Sequence, residues 1–459
     1  MRVLEMTYRA SSLSALAGLA VLAGAPVALA QAPGAEQPPV IQPLPPPGAQ
    51  QPPPGPPPFQ QPPPFEPPPA QLPPEQPPLA TDFPPIPDPP PVEAVGPAQG
   101  LKLSAFVDAN YGFQTQKPGT RLPPHRAYAW NNFDSGTASA QNGFALSFAG
   151  IDATYDAGQL GATISLRAGP SVPVFFAGDK GPLGIENLTQ AFVSWNPTSQ
   201  LSIDFGQFNT IFGAEVAESW QNLNYSRGGL YYLMQPFWHT GLRATVSPND
   251  KVSVTGMIVN GVNSTHDDNE SPSLALQLAL TPNEVFSVSA GWLTTPQPSS
   301  DGSGFDNFFD LVSSLTIDRF SLVFNADLNV MANKHNVGPG YDQRLEHPMF
   351  WGVSLAAGYQ ATDLFGLALR GEYLSDADNQ LFQVTAVERG VVYPATTQTN
   401  VVTVTGTLDF KPVKGSNNLV IRWDNRIETS NEDVFFNRSE KPANVWFGSV
   451  LGLVVTTDS

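Results

Sequence analysis

Residues 101–113 read LKLSAFVDANYGF, with Leu101, Leu103, Ala105, Val107, Ala109 and Tyr111 on one face and Lys102, Ser104, Asp108 and Asn110 on the other. Successive side chains of a strand point to opposite faces, so this period of two is the pattern of a strand with one apolar and one polar side. The pattern recurs in LGATISLRAG, where Leu160, Ala162, Ile164 and Leu166 oppose Thr163, Ser165 and Arg167. It recurs again in NNLVIRWDNRIE, where Leu419, Ile421, Trp423 and Ile427 oppose Arg422, Asp424, Arg426 and Glu428. No long amphipathic helix interrupts it. Sixteen candidate strands follow, near 101–113, 143–156, 159–169, 187–196, 200–209, 237–247, 251–261, 273–281, 284–294, 307–318, 320–331, 348–360, 363–374, 400–410, 417–428 and 444–455. The fold class is all-β.

The connections alternate in length. Brief turns join strands two and three, four and five, and so on to fourteen and fifteen; three of them contain Asn-Pro-Thr, Ser-Pro-Asn-Asp or Thr-Pro-Asn-Glu. Long polar loops make the other joins, among them 114–142, 170–186, 210–236, 332–347 and 375–399. Short turns at one end, long loops at the other and an even number of strands of roughly ten residues describe a transmembrane antiparallel β-barrel. Lipid leaves no open sheet edge satisfied, so the sheet closes. Sixteen strands is the reading, with 14–18 as its bounds. An even count puts both termini on the periplasmic side and the long loops outside.

Tandem secreted sandwiches also alternate. They give no reason for connections to alternate long and short along a whole chain, and their outer faces are charged rather than lined by Leu, Ile, Val, Phe and Trp. Aromatic residues near strand ends fit interfacial girdles: Tyr111, Phe144, Tyr155, Trp195, Phe237, Trp238, Trp292, Trp351, Tyr359, Tyr373, Phe410 and Trp446.

Upstream of the first strand the texture differs. Residues 1–30 place Arg2 and Arg9 before an apolar run from Leu13 to Leu22 and end in Ala28-Leu29-Ala30, a three-part secretory signal peptide with the mature chain starting at Gln31. Of the 49 prolines, 30 lie between Gln31 and Ala98, a stretch without Lys or Arg. Proline fixes φ and removes backbone donors, so residues 31–98 are expected to be a disordered, extended, proline-rich periplasmic linker. A plain tether is one reading; Phe59, Phe65 and Phe83 as docking points for a periplasmic or cell-wall partner is the other. The barrel domain spans 101–459.

Composition narrows the chemistry. Charged residues make up 14% of the 459 residues, and the formal charge is -18. An acidic chain is a poor nucleic-acid binder, because that depends on Lys and Arg neutralising phosphates. With no cysteine there are no disulfides, thiolate metal sites or Cys nucleophiles. His125, His239, His266, His335 and His347 form no HExxH or other compact ligand set. The run His266-Asp267-Asp268-Asn269-Glu270 lacks the twelve-residue register of an EF-hand and reads as a solvated turn. No catalytic or metal residues and no cofactor are expected, and the chain does not read as an enzyme.

The stretch Gly206–Asn263, with GQFNTIFGAEVAESWQNLNYSRGGLYYLMQPFWHTGLRATVSP followed by VSVTGMIVNGVN, resembles the bacterial outer-membrane beta-barrel porin-2 family described as OmpL-like. The resemblance extends over Leu101–Ser459. It implies a channel in the outer membrane, with outer-membrane lipid, lipopolysaccharide and the barrel-assembly machinery as its surroundings and a homotrimer as an option, and it gives no solute. Many outer-membrane barrels finish on an aromatic residue; this chain finishes Val454-Val455-Thr456-Thr457-Asp458-Ser459, with Trp446 and Phe447 in its last strand.

Selectivity resides in pore width and lining charge. Strand parity turns Asp108, Arg167, Asp204, Arg243, Asp310, Asp327, Arg370, Glu372, Asp409, Arg422, Asp424 and Arg426 inward, either as pore lining or as pairs across the wall that stabilise the barrel. The connection after strand five carries Glu215, Glu218, Arg227, Tyr231 and Tyr232. By analogy with general porins it folds inward as a constriction; the alternative is packing over the rim or between subunits. After residue 100 there are 33 acids and 20 bases, which favours cations. The function expected is a water-filled channel for passive diffusion of small hydrophilic solutes or ions. The alternative is a non-conducting structural barrel fastened to the periplasm or cell wall by 31–98.

Overall fold

The structure is a computed structural model and describes residues 100–457 apart from 116–132, 135–138, 141, 177–179, 181–184, 268–270, 297–303, 339–340, 383–384, 389–390, 395–397, 414–415 and 440. The expected signal peptide and proline-rich segment, His125, and Asp268, Asn269 and Glu270 lie outside the described residues.

Among the described residues sixteen strands close into one antiparallel barrel. They are β1 (Gly100–Gln114), β2 (Gly143–Asp156), β3 (Leu160–Ala168), β4 (Leu188–Thr198), β5 (Leu201–Asn209), β6 (Trp238–Asn249), β7 (Val252–Val259) and β8 (Ser273–Leu280). The second half comprises β9 (Phe286–Pro296), β10 (Phe305–Ile317), β11 (Phe320–Val330), β12 (Met349–Gln360), β13 (Phe365–Asp376), β14 (Thr399–Phe410), β15 (Leu419–Ser430) and β16 (Val445–Thr456). Each strand pairs with its neighbours in sequence, and β16 returns to β1 over the register Phe106↔Thr456 to Gln114↔Gly448. Thr457 continues this seam, its N–H donating to the Ala105 carbonyl at 2.9 Å. Closure gives every strand of the barrel a partner on both sides, the condition for a sheet in lipid.

The alternation sorts the side chains as their chemistry demands. Leu101 and Leu103 are each 64% exposed on the outer face, whereas Asp108 on the same strand is 0% exposed. The short turns are closed by side chains that mimic a backbone turn. Asp156 Oδ1 accepts from the Gly158 N–H at 2.7 Å, and Asn283 Oδ1 accepts from Val285 and Phe286 at 3.0 and 2.9 Å. Gly158 has φ 84°, which glycine adopts without steric cost.

The long connections leave from the other end. Among the described residues four of them carry small hairpins that alternation does not separate from loop: Lys334–Gly338 with Tyr341–Leu345, Thr385–Glu388 with Val391–Pro394, and the two-residue pairs Phe133–Asp134 with Ser139–Ala140 and Phe435–Phe436 with Pro442–Ala443. Among the described residues there are also two short α-helices, α1 (Val172–Phe175) and α2 (Gly229–Met234), and a 3-10 turn at Ser219–Gln221. The apolar interior lies inside the barrel rather than between layers, in clusters around Leu230 and Trp446, around Phe148 and Trp238, and around Phe212 and Phe308.

Candidate functional site: the loop in the lumen

After β5 the chain turns into the barrel and stays there until β6. Phe212 packs edge-on against Phe308 with ring centroids 5.4 Å apart, and the Ala214 N–H donates to Asn325 Oδ1 at 3.2 Å. Glu215 then pairs with Arg370 of β13, and Glu218 with Arg167 Nε of β3 at 2.8 Å. Arg422 of β15 donates to the carbonyls of Ser219, Asn222 and Leu223 at 2.6, 3.0 and 2.6 Å. Next, Tyr225 donates its hydroxyl to Asp108 Oδ1 at 2.6 Å, and Ser226 Oγ donates to Asp424 Oδ1 at 3.0 Å. The Gly229 N–H meets Glu372 Oε1 at 2.7 Å, and Gln235 Nε2 reaches Asp327 Oδ2 at 2.7 Å. Residues 210–236 thus cross the lumen and are fastened to β1, β3, β11, β13 and β15.

The wall is shaped for this loop by missing side chains. A Cβ on Gly358 would lie 2.8 Å from a methyl of Leu223, and one on Gly352 would lie 3.0 Å from Leu230 and 3.1 Å from the Met234 sulfur. A Cβ on Gly452 would strike the Tyr225 ring. The inner faces of β12 and β16 therefore carry glycine where the loop's large side chains press in, which is close packing of the kind found in protein interiors.

All twelve charged residues assigned inward by parity do face the interior, and ten are buried. Arg243 and Asp409 remain partly open, with side chains 19% and 21% exposed. Each arginine has a carboxylate: Arg167 with Asp152 and Glu218, Arg243 with Asp204 at 2.8 Å, Arg370 with Glu215 and Glu372, Arg422 with Asp409 at 2.8 Å, and Arg426 with Glu428 at 2.8 Å. Buried ion pairs hold only when geometry and further hydrogen bonds compensate desolvation, and the loop's backbone carbonyls supply those bonds to Arg370, Arg422 and Arg426. Asp310 and Asp327 form a different arrangement. They are register partners, and Asn325 Nδ2 bridges them at 2.9 and 3.0 Å.

The five loop residues selected from sequence are brought together only in part. Glu215 and Glu218 turn to different parts of the wall, Glu215 to β13 and Glu218 to β3. Burial pushes the Glu215 carboxyl above its ordinary range, with Arg370 opposing the shift and Glu372 adding to it. Arg227 is fully buried, donates to the Ala217 carbonyl and sits over the Phe175 ring at 4.8 Å. Tyr231 and Tyr232 pack against Phe175 and Phe237 beneath α1. Burial raises both phenols, Tyr232 to about 12.

Three aromatics expected in girdles are interior instead. Trp238 is 0% exposed, with Lys180 Nζ 3.9 Å from its ring centroid; Trp446 is 1% exposed and donates its indole N–H to Gln114 Oε1 at 3.1 Å; Phe237 packs on Tyr231. Nearness to a strand end does not say which face a residue occupies, and the inner wall here is apolar enough to take them. Tyr111, Phe144, Tyr155, Trp195, Trp292, Trp351 and Tyr359 are exposed on the outer face. The sequence reading missed Asp152, Asn325, Tyr225 and Gln235, and it placed Glu428 on the polar face of its strand without including it in the inward charged set. Glu428 shares the parity of Arg426, which puts it inward by the same argument; the uncharged loop residues had no local signal. Of the histidines, His239 is buried and bonded to the Gly261 carbonyl and Thr210.

At the turn end of the lumen the loop forms the floor of a cavity of about 350 Å³, bounded by Trp220, Asn222 and Leu223 of the loop and by Arg319, Gln360, Lys411, Asn417 and Arg422 around it. A second space of about 40 Å³ lies between Glu215, Asn224 and Leu230 of the loop and Asn325, Ser354 and Arg370 of the wall.

Solved structures of similar fold include OmpF of Salmonella typhi in complex with daunomycin, at 13% identity and a TM-score of 0.50, covering 78% of this chain and 97% of that one. An anion-selective porin from Comamonas acidovorans has 12% identity and a TM-score of 0.48, over 78% of this chain and 99% of that one. OmpT of Vibrio cholerae in a trimer form has 12% identity and a TM-score of 0.47, over 79% and 100%. At such identity the likeness is one of fold. No curated protein matches the chain. The family described as "Putative beta-barrel porin-2, OmpL-like" matches residues 100–455, and the chain belongs to that family.

Proposed function

We propose that the chain is an outer-membrane porin whose lumen is narrowed by residues 210–236, passing small hydrophilic solutes or ions by passive diffusion. The observation that carries this reading is the loop itself: a hydrogen-bonded, ion-paired segment set across the barrel, with Glu215 tied to β13 and Glu218 to β3. Opposed charges at a narrowing rank solutes by size and charge. The acid excess of the barrel supports cation preference. Reversal potential in a salt gradient tests it, and a potential of the anion-selective sign removes the preference while leaving the channel.

The extent of the loop's anchoring favours a second reading, a barrel that does not conduct. In either case the turn end with both strand termini faces the periplasm, residues 1–30 direct export, and residues 31–98 serve as a periplasmic spacer that reaches a wall or periplasmic partner. Lipid and lipopolysaccharide surround the apolar belt, the barrel-assembly machinery inserts it, and a homotrimer is the oligomer we favour.

A further inference from the structure

The 350 Å³ cavity at the turn end has a charge pattern unlike the rest of the barrel. Among the described residues its one acidic lining residue, Asp409, is taken on both oxygens by Arg422, Nε to Oδ1 at 2.8 Å and Nη2 to Oδ2 at 3.2 Å. Arg422 is spent in turn on Asp409 and the three loop carbonyls. What remains is Lys411 and Arg319. Lys411 Nζ bonds Gln360 Oε1 at 3.3 Å, which leaves donor capacity on an ammonium group. Arg319 donates Nη1 to the Ala361 carbonyl at 3.0 Å and lies 3.6 Å from Asp363, an ion pair exposed on both sides and so weakly held. Asn417 and Ser321 add polar groups, while Trp220 and Leu223 give an apolar floor.

We propose that this cavity is a binding site for a small organic anion, its carboxylate or phosphate group held by Lys411 and Arg319 and its apolar body laid on Trp220 and Leu223. The volume is that of a small-ligand pocket, and a few convergent polar groups over an apolar surface are what such pockets use for orientation. A cationic pair in an acidic barrel concentrates anions locally even where the whole chain repels them. The site also has a consequence for the loop. Trp220 rests on Phe106 at a centroid distance of 4.0 Å, and Arg422 holds Ser219, Asn222 and Leu223. A ligand on this floor is therefore in contact with the segment that spans the lumen, and it reaches that segment from the periplasmic mouth.

Binding can be measured on the full chain refolded in detergent, independently of conduction, by isothermal titration with benzoate, inorganic phosphate and the neutral benzamide as probes. Saturable binding of benzoate is expected, with benzamide not binding. Lys411→Gln with Arg319→Gln should weaken benzoate about tenfold or more, the loss of at least one charge-assisted contact. Trp220→Ala should weaken benzoate and leave phosphate unchanged; benzoate binding unmoved by Trp220→Ala, or equal weakening of both probes through a displaced loop, overturns the Trp220 part of the proposal. Both charge-neutralised positions are half-buried or exposed, so the barrel should keep its heat-modifiable mobility. Absence of saturable benzoate and phosphate binding in the folded barrel, or binding indifferent to both charge substitutions, overturns the site.

Discussion

The Tyr225 hydroxyl donates to Asp108 Oδ1 at 2.6 Å while the Tyr225 ring occupies the space that a Cβ on Gly452 would need. One loop residue thus fastens to β1 through its oxygen and fits β16 through its ring, across the very seam that closes the barrel. Ser219 Oγ donates to the other carboxylate oxygen of Asp108 at 2.6 Å, so a wall residue buried at 0% exposure takes a hydrogen bond from the loop on each of its oxygens.

Tyr225→Phe removes that donor and keeps the ring. Leaving a buried carboxylate short of a hydrogen bond costs about 1–3 kcal/mol, and the midpoint of thermal unfolding in detergent should fall accordingly. Ser219→Ala should do the same through Oδ2. The two effects should be non-additive because both act on Asp108.

Gly452→Ala leaves every hydrogen-bonding group in place and fills the space of the Tyr225 ring. The ring must move, and the loop with it. Single-channel recordings should then show a higher mean conductance and more current noise than the parent chain. Gly371→Ala, at an open position on the outer face with nothing within 4 Å, is the control and should leave the current unchanged.

Glu215 gives the pH dependence. Burial disfavours its charged form, so as pH falls it takes up a proton before an ordinary glutamate does, and Arg370 then loses one of its two carboxylates. Negative charge is lost from the lumen in that window. The cation-to-anion permeability ratio should drop on acidification above the usual glutamate range, and the drop should be absent in Glu215→Gln, whose ratio stays low throughout.

Asp310 and Asp327 face each other in register on β10 and β11, and like charges directly opposite in a sheet are destabilising. Asp310→Asn removes the repulsion while its amide oxygen still accepts from Asn325. Thermal unfolding at alkaline pH should shift upward by the equivalent of about 0.2–1 kcal/mol, with a smaller gain at acid pH.

The strands were legible because lipid imposes one rule on every outward position. The region 143–156 read from alternation coincides with Gly143–Asp156, and 444–455 lies one residue from Val445–Thr456. The same rule sorted Arg422, Asp424 and Arg426 inward. It failed on β16, where Trp446, Gly448, Val450, Gly452 and Val454 line the interior: both faces of that strand are apolar, because the inner one is covered by the loop, so Trp446 had nothing to mark it as interior. The loop's position was suggested by its length and charges, but its attachments were not. Tyr225 and Asp108 are 117 residues apart, and Gln235 and Asp327 are 92. No local pattern encodes such contacts; they exist only once the barrel has closed around the segment.

The most direct test is single-channel recording of the full chain in planar bilayers over a range of salt concentrations and voltages, with Glu215→Gln and Glu218→Gln beside it. A channel narrowed by residues 210–236 predicts stepwise openings that scale with salt and a reversal potential that moves toward anions in the two variants. A folded, inserted barrel that stays silent at every voltage would contradict the channel, and a conducting one with an unmoved reversal potential would take Glu215 and Glu218 out of its narrowing.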